Sequence, residues 1–215
     1  MGYIVIAPIG DNPKAFFVGM KQFATERAIL ITPPDKMEES RKLAKKLEDF
    51  TIDAEIKEIE NNLMEDMFRI FGDICSIYDN EKIIVNLATG DQLSTCAALS
   101  ASYANGIKAF GIMNKKCMLM PIMKLSYYNE LSDKKMNILQ SLDLEEFKSL
   151  KKLSEELSLS VSLTSYHING NYKYKGLKDY RLIDVKEENN NLYVKLSEMG
   201  NLLLKGYINQ RGDNK

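Results

Sequence analysis

The sequence predicts an α/β fold: a doubly wound, mainly parallel sheet with a terminal β-hairpin, followed by a smaller helical unit with a hairpin of its own. Three observations carry this. Short apolar runs alternate with helical patterns over the first ~120 residues, as in strand–crossover–strand units. The runs "YIVIAP", "RAILIT" and "KIIVNLA" are continuous, as in strands covered on both faces. After about Tyr127 the alternation stops and helices follow one another.

The elements follow in order. Tyr3 to Pro8 is the first strand, and Ala15 to Ala24 reads as a helix. Arg27 to Thr32 is the second strand, stopped by Pro33-Pro34. Asp35 to Phe50 is helical, with Asp35 as its expected N-cap and acids early. Thr51 to Ile59 alternates with period two through Ile52, Ala54 and Ile56. Asn61 or Asn62 then caps a helix whose apolar face is Leu63, Met67, Ile70, Phe71, Ile74 and Ile77. "KIIVNLA" is the fourth strand, and a small-residue helix runs from it to Asn105-Gly106, a C-terminal stop. Leu93, Ala97, Ser100, Ala101 and Ala104 form its expected packing face. Ile107 to Met113 and Lys116 to Ile122 flank Asn114-Lys115 as a hairpin that adds an antiparallel edge.

The second half begins at Lys124 to Ser126, giving domains 1–124 and 125–215. Ser132 to Leu142 is a helix with a Ser or Asp cap. Ser149 to Leu157 is a second, with Leu150, Leu153 and Leu157 inward, and a third begins after Ser158-Leu159-Ser160. Two short strands surround a polar turn, Glu187 to Asn191, and "SEMGNLLLKGYI" closes the unit as a helix. Three helices, a β-hairpin and a final helix make a winged helix-turn-helix. The tail "NQRGDNK" is expected to fray, and its Arg211-Gly212-Asp213 to be incidental.

Composition narrows the function. The 215 residues are 45% hydrophobic and 27% charged, with net charge -1, so a real core forms and no global basic field attracts nucleic acid. Cys75, Cys96 and Cys117 are odd in number and far apart; they read as small buried hydrophobes, not a disulfide set or metal cage. The single histidine, His167, removes multi-histidine metal sites. No segment approaches the ~20 apolar residues of a membrane span, and no signal peptide pattern opens the chain. A cytoplasmic location, no metal, no cofactor and no membrane partner are expected.

Ligands of doubly wound sheets sit outside the carboxyl ends of strands at the switch point. Two loops lie there: "PIGDNPK" with Gly10, Asp11 and Asn12, and "NLATGDQ" with Asn86, Thr89, Gly90, Asp91 and Gln92. Glycines permit close approach, the N–H groups opening the following helix favour an anion, and the neutral side chains add hydrogen bonds. Neither loop is G-x-G-x-x-G or G-x-x-x-x-G-K-[ST], so an ordinary dinucleotide dehydrogenase or P-loop NTPase is disfavoured.

In the second half, Ser160, Ser162, Thr164, Ser165, Tyr166 and His167 are the side-chain types that contact phosphates and base edges from a recognition helix. The segment after it, "NGNYKYKGLKDYRLI", is locally basic with interleaved tyrosines: Lys173, Lys175, Lys178 and Arg181, with Lys186 flanking the wing. Glu187 and Glu188 make the wing tip acidic, which argues against deep minor-groove insertion. The insert places a break of the third helix, or an extra turn, near Gly170.

"NLATGDQ" before a small-residue helix resembles the N-x-[ST]-G turn of CRISPR-associated Rossmann fold (CARF) domains, and "IVIAPIGDN" resembles their first strand and loop. "TSYHI" resembles the recognition segment of winged-helix regulators. A CARF-like domain followed by a winged helix is the layout of archaeal CARF transcriptional regulators. The resemblance implies a Rossmann-like half that pairs with its twin and binds a cyclic oligoadenylate, typically the tetramer, through the two loops. It departs at Asp91-Gln92, where many members place a small residue and then a basic or polar one. The expected function is a homodimeric, ligand-responsive, DNA-binding transcriptional regulator, not an enzyme. A nucleotide-cleaving protein whose winged helix only dimerises stays open, as does a constitutive DNA-binding or scaffold protein.

Overall fold

The computed structural model describes residues 2–121, 131–189 and 191–210. These fall into two compact units, residues 2–121 and 131–207. The expected boundary at Lys124 to Ser126, the hairpin end at Ile122 and the tail's Arg211-Gly212-Asp213 lie outside the described residues.

The first unit is a six-stranded sheet ordered β3-β2-β1-β4-β5-β6. Its strands are β1 (Tyr3–Pro8), β2 (Thr25–Thr32), β3 (Asp53–Glu58), β4 (Ile83–Asn86), β5 (Lys108–Met113) and β6 (Lys116–Met120). All pairings are parallel except β5 with β6. The helices are α1 (Ala15–Met20), α2 (Met37–Glu48), α3 (Leu63–Ile77) and α4 (Gln92–Asn105). Because β1 leads outward to β2 and β4 leads the opposite way to β5, right-handed crossovers put α1 and α2 on one face and α3 and α4 on the other. On the first face Phe16, Leu43 and Leu47 pack with Val5, Ala7, Leu30, Ile84 and Phe110. This is the mixed α/β, mainly parallel architecture the sequence predicts, with the antiparallel edge in place.

Several elements differ from expectation, each for a local reason. The first helix ends at Met20, because the chain must turn for the Ala24 carbonyl to accept the Tyr3 N–H and for Thr25 to pair with Tyr3. Asp35 does not cap α2; it sits in a 3₁₀ turn, Pro34–Lys36, and the α-helix starts at Met37 with no side-chain cap. Asn62 does cap α3, accepting from the N–H groups of Met64 and Glu65. Ile77 lies on the expected stripe of α3 yet is 70% exposed; the stripe sets direction, not whether anything stands there. The α4 packing face is rotated: Ser94, Ala97, Ala98, Ala101, Ser102 and Asn105 are buried, whereas Leu93 and Ser100 are exposed. Ser102 Oγ and Asn105 Nδ2 donate to the carbonyls of Ala98 and Ala101, so these polar side chains bury at little cost. Gly106 ends α4 in the left-handed region at φ 67°, as its position after Asn105 predicts.

The cysteines also need correction. Cys96 is exposed, and Cys75 and Cys117 are half-buried. Burial pushes the Cys75 thiol up to about 12, which leaves it an inert thiol.

The second unit contains α5 (Asp133–Gln140), β7 (Lys148–Ser149), α6 (Leu150–Glu156), α7 (Val161–Asn169), β8 (Ile183–Glu188), β9 (Asn191–Leu196) and, as far as Tyr207, α8 (Glu198–Gln210). Ser132, Ser149 and Ser160 cap α5, α6 and α7, each accepting from an N–H in the first turn. The sheet is antiparallel and ordered β7-β9-β8. Leu139, Leu153, Ile168, Leu177, Leu182 and Val194 are fully buried in its core. The turn between β8 and β9 is tighter than the expected Glu187–Asn191: Glu188 and Asn191 already pair in the ladder. The third helix does end at Gly170, and a short loop then closes on itself through a bridge between Gly170 and Lys175.

Candidate functional site

β1 is hydrogen-bonded to β2 on one side and to β4 on the other, so the strand order reverses at β1/β4. The loops leaving these two strands meet at the carboxyl edge. The Thr89 carbonyl accepts from the N–H of Gly10 at 3.1 Å and of Asn12 at 3.3 Å. A Cβ on Gly10 would stand 2.1 Å from the Asp91 nitrogen, so only glycine allows this approach.

Each predicted ligand residue has a definite place here. Asn86 and Thr89 are fully buried. Asn86 donates through Nδ2 to the Ala15 carbonyl and accepts at Oδ1 from the Ala88 N–H. Thr89 Oγ1 donates to the Asn86 carbonyl. These two shape the turn from inside and present no side chain to a ligand. Gly10 is buried as well, while Asp11, Asn12 and Gln92 are exposed and Gly90 and Asp91 half-buried.

Asp91 is the N-cap of α4. Its carboxylate accepts from Ser94 N–H at 2.8 Å and from Ser94 Oγ at 3.0 Å. The acid therefore occupies part of the helix N-terminus that a phosphate would otherwise use. Thr95 Oγ1 donates to the Leu87 carbonyl and fixes the helix to the turn. What faces outward is a neutral backbone surface at Gly90 and Gln92, with Asp11 and Asn12 beside it.

The candidate nucleic-acid residues divide similarly. On α7, Ser160 and Ser162 are exposed and Ser165 and Tyr166 half-exposed. Thr164 is fully buried, with Oγ1 donating to the Ser160 carbonyl. His167 is buried too, and neither ring nitrogen has a hydrogen-bond partner among the described residues. Both thus point into the second unit, because positions three apart on one helix share a face. Asn171 Oδ1 accepts from the N–H groups of Lys173 and Tyr174, shaping an exposed knuckle that carries Lys173 and Lys175. Lys135 and Lys175 stand over the Tyr180 ring at 5.2 and 5.7 Å. Lys178 and Arg181 are exposed. Lys186 pairs with Glu188 at 2.8 Å, so this cation of the β8–β9 hairpin is already engaged. A groove of about 570 Å³ between α7 and the hairpin is bordered by Ser165, Asn169, Glu187 and Glu188.

Burial and the charges of Lys135 and Lys134 hold the His167 ring below its ordinary value, 6.5. A depressed pKa means the unfolded chain binds the proton more tightly. Stability of the second unit should therefore fall as pH drops through about 6.5. His167 is the chain's only histidine, and carboxylates titrate lower, so melting between pH 7 and pH 5 isolates it. His167→Phe should flatten that slope; an unchanged slope would assign it elsewhere.

No helix of the described residues is long and apolar enough to cross a membrane. No family model matches the chain, and no curated protein does. Among solved structures, Can2 from Sulfobacillus thermosulfidooxidans, in complex with cyclic tetra-adenylate, aligns at 12% identity and TM-score 0.46, covering 94% of this chain and 61% of that one. Protein VC1899 from Vibrio cholerae aligns at 10% identity and TM-score 0.46, covering 97% and 65%. NolR from Sinorhizobium fredii aligns over 38% of this chain and 76% of its own, at 20% identity and TM-score 0.31. The chain spans less than two thirds of the length of Can2 and of VC1899.

Proposed function

We propose that the chain is a homodimeric, ligand-responsive DNA-binding regulator whose first unit senses a small nucleotide. The observation that carries this is the meeting of two loops at the β1/β4 switch point, where they are joined through the Thr89 carbonyl. Asn12 and Gln92 on their exposed rim offer neutral hydrogen-bond groups suited to a ribose or a base, while the Asp91 cap leaves only part of the α4 N-terminus to a phosphate. The N-x-[ST]-G-like turn resembles that of CARF domains, which makes a cyclic oligoadenylate the first ligand to test.

Pairing with a second copy is supported by apolar exposure. Leu93, Met113 and Met118 are 70%, 59% and 46% exposed. We read the second unit as a winged helix-turn-helix from its element order and its β7-β9-β8 sheet. Ser160, Ser162, Ser165 and Tyr166 would face DNA, with Lys173, Lys175 and Lys178 supplying phosphate contacts. The acidic groove beside the hairpin leaves the wing a lesser part.

Titration with cyclic tetra-adenylate, the ligand in the Can2 complex, tests the reading. At 100-fold over its dissociation constant a true ligand adds about 2.7 kcal/mol of stability. Asp91→Asn is the sharper probe. Asparagine caps as well as aspartate, so the fold is kept while a negative charge leaves the rim. Affinity for a polyanion should rise about threefold to tenfold at low salt. No binding by either form would sink the sensor reading, and equal binding by both would place the phosphates elsewhere.

A further inference from the structure

We propose that the first unit holds a second small-molecule site, a cleft between α1 and α2 that takes a phosphate monoester of a small planar or apolar group. The cleft encloses about 160 Å³, roughly five water volumes. That is below the range of pockets that enclose a drug-sized ligand, so its occupant is small. Pro13, Phe17 and Leu43 form the apolar part of its lining, and the Phe50 ring lies 5.9 Å from that of Phe17.

Charge selects the ligand. Lys14, Lys42 and Lys46 border the cleft with one acid, Glu39. Among the described residues, ion pairs engage Lys57, Lys108, Lys148, Lys186 and Lys195, and none of these three. Lys42 and Lys46 are one turn apart on α2, a like-charge spacing that mildly destabilises a helix. Three cations and one anion leave the cleft at +2, the complement of a phosphate monoester, which carries close to -2 at pH 7. Ammonium groups suit phosphate as point charges, and the apolar lining suits its organic part. Carboxylates carry half that charge and would leave one cation unmatched.

The cleft shares Pro13 and Lys14 of the first loop but is lined by none of Asp11, Asn12, Gly90 and Gln92, and its test is separate. Amide resonances of the full chain would be followed during titration with phenyl phosphate, inorganic phosphate and phenol. Phenyl phosphate should shift the amides of residues 14–17 and 39–46, and bind about tenfold more tightly than either fragment. Lys42→Ala/Lys46→Ala should weaken it by about a hundredfold, a tenfold loss for each charged hydrogen bond. The double variant should melt no lower than the parent, since both side chains are exposed and repel each other. Shifts absent from these amides, or unchanged affinity in the double variant, would overturn the proposal. Cyclic tetra-adenylate acting only at residues 10–12 and 90–92 would leave the sensor reading standing while phenyl phosphate decides this one.

Discussion

Gly10→Ala should destabilise the first unit by about 3 kcal/mol, the upper end of what overpacking costs. The added Cβ would lie 2.1 Å from the Asp91 nitrogen and 2.7 Å from the Gly90 carbonyl carbon. Both are backbone atoms, so no side chain can swing aside. Relief requires parting the loops, which stretches the bonds from the Gly10 and Asn12 N–H groups to the Thr89 carbonyl. Gly106→Ala is the control. Nothing lies within 4 Å of its added Cβ, so it meets only the left-handed backbone penalty, about 1 kcal/mol. Thermal melts of the two variants should differ by several degrees, at roughly 4 °C per kcal/mol. Equal melting temperatures would mean that the loops are not held in contact. On the proposed function, binding of cyclic tetra-adenylate should vanish with Gly10→Ala and survive Gly106→Ala.

Phe110→Ala should cost about 4 kcal/mol, the range for emptying a buried aromatic site. Phe110 is 1% exposed, and its ring sits 4.7 Å from that of Phe23. It also presses on Gly19, where a Cβ would meet the Phe110 ring at 2.6 Å and the Asn86 Nδ2 at 3.2 Å. Phe110 and Asn86 are also paired across β4 and β5, so loss of the ring should loosen the turn from Asn86 to Gln92 as well as the core. Placing Gly19→Ala in the Phe110→Ala background returns a methyl to the vacated space. The pair should be less destabilised than the sum of its members, a coupling that urea denaturation can read. Strict additivity would show that the two groups do not share that space.

Much of the architecture was legible because it rests on long-range repetition. The strands β1 and β4 follow from unbroken apolar runs, and their adjacency follows from a sheet wound in two directions. Asn62, Ser132 and Gly106 were readable as stops and starts because capping is local chemistry. Burial within an element was harder. The sequence puts Leu93 inward on hydrophobicity, but Thr95 ties α4 to the preceding turn by donating to the Leu87 carbonyl, and Ser102 and Asn105 satisfy their own polar groups within the helix, so its buried face need not be its most apolar one. Asp35 looked like a cap because only residue type was visible, whereas the preceding prolines impose a 3₁₀ turn. At the site, residue type placed Asn86 and Thr89 among the ligand contacts. Their inward hydrogen bonds depend on how β4 turns, which no spacing encodes. The lysine-bordered cleft was invisible because its residues come from the loop after β1, from α1 and from α2, which meet only once the sheet is formed.

The double acceptance by the Thr89 carbonyl also constrains inheritance. One oxygen fixes where Gly10 and Asn12 must stand, so the two loops cannot change length independently. An extra residue between Ile9 and Asn12 would lift one partner off that oxygen unless the turn from Asn86 to Asp91 grew to follow it. Insertions and deletions at this edge should arrive in matched pairs or be lost.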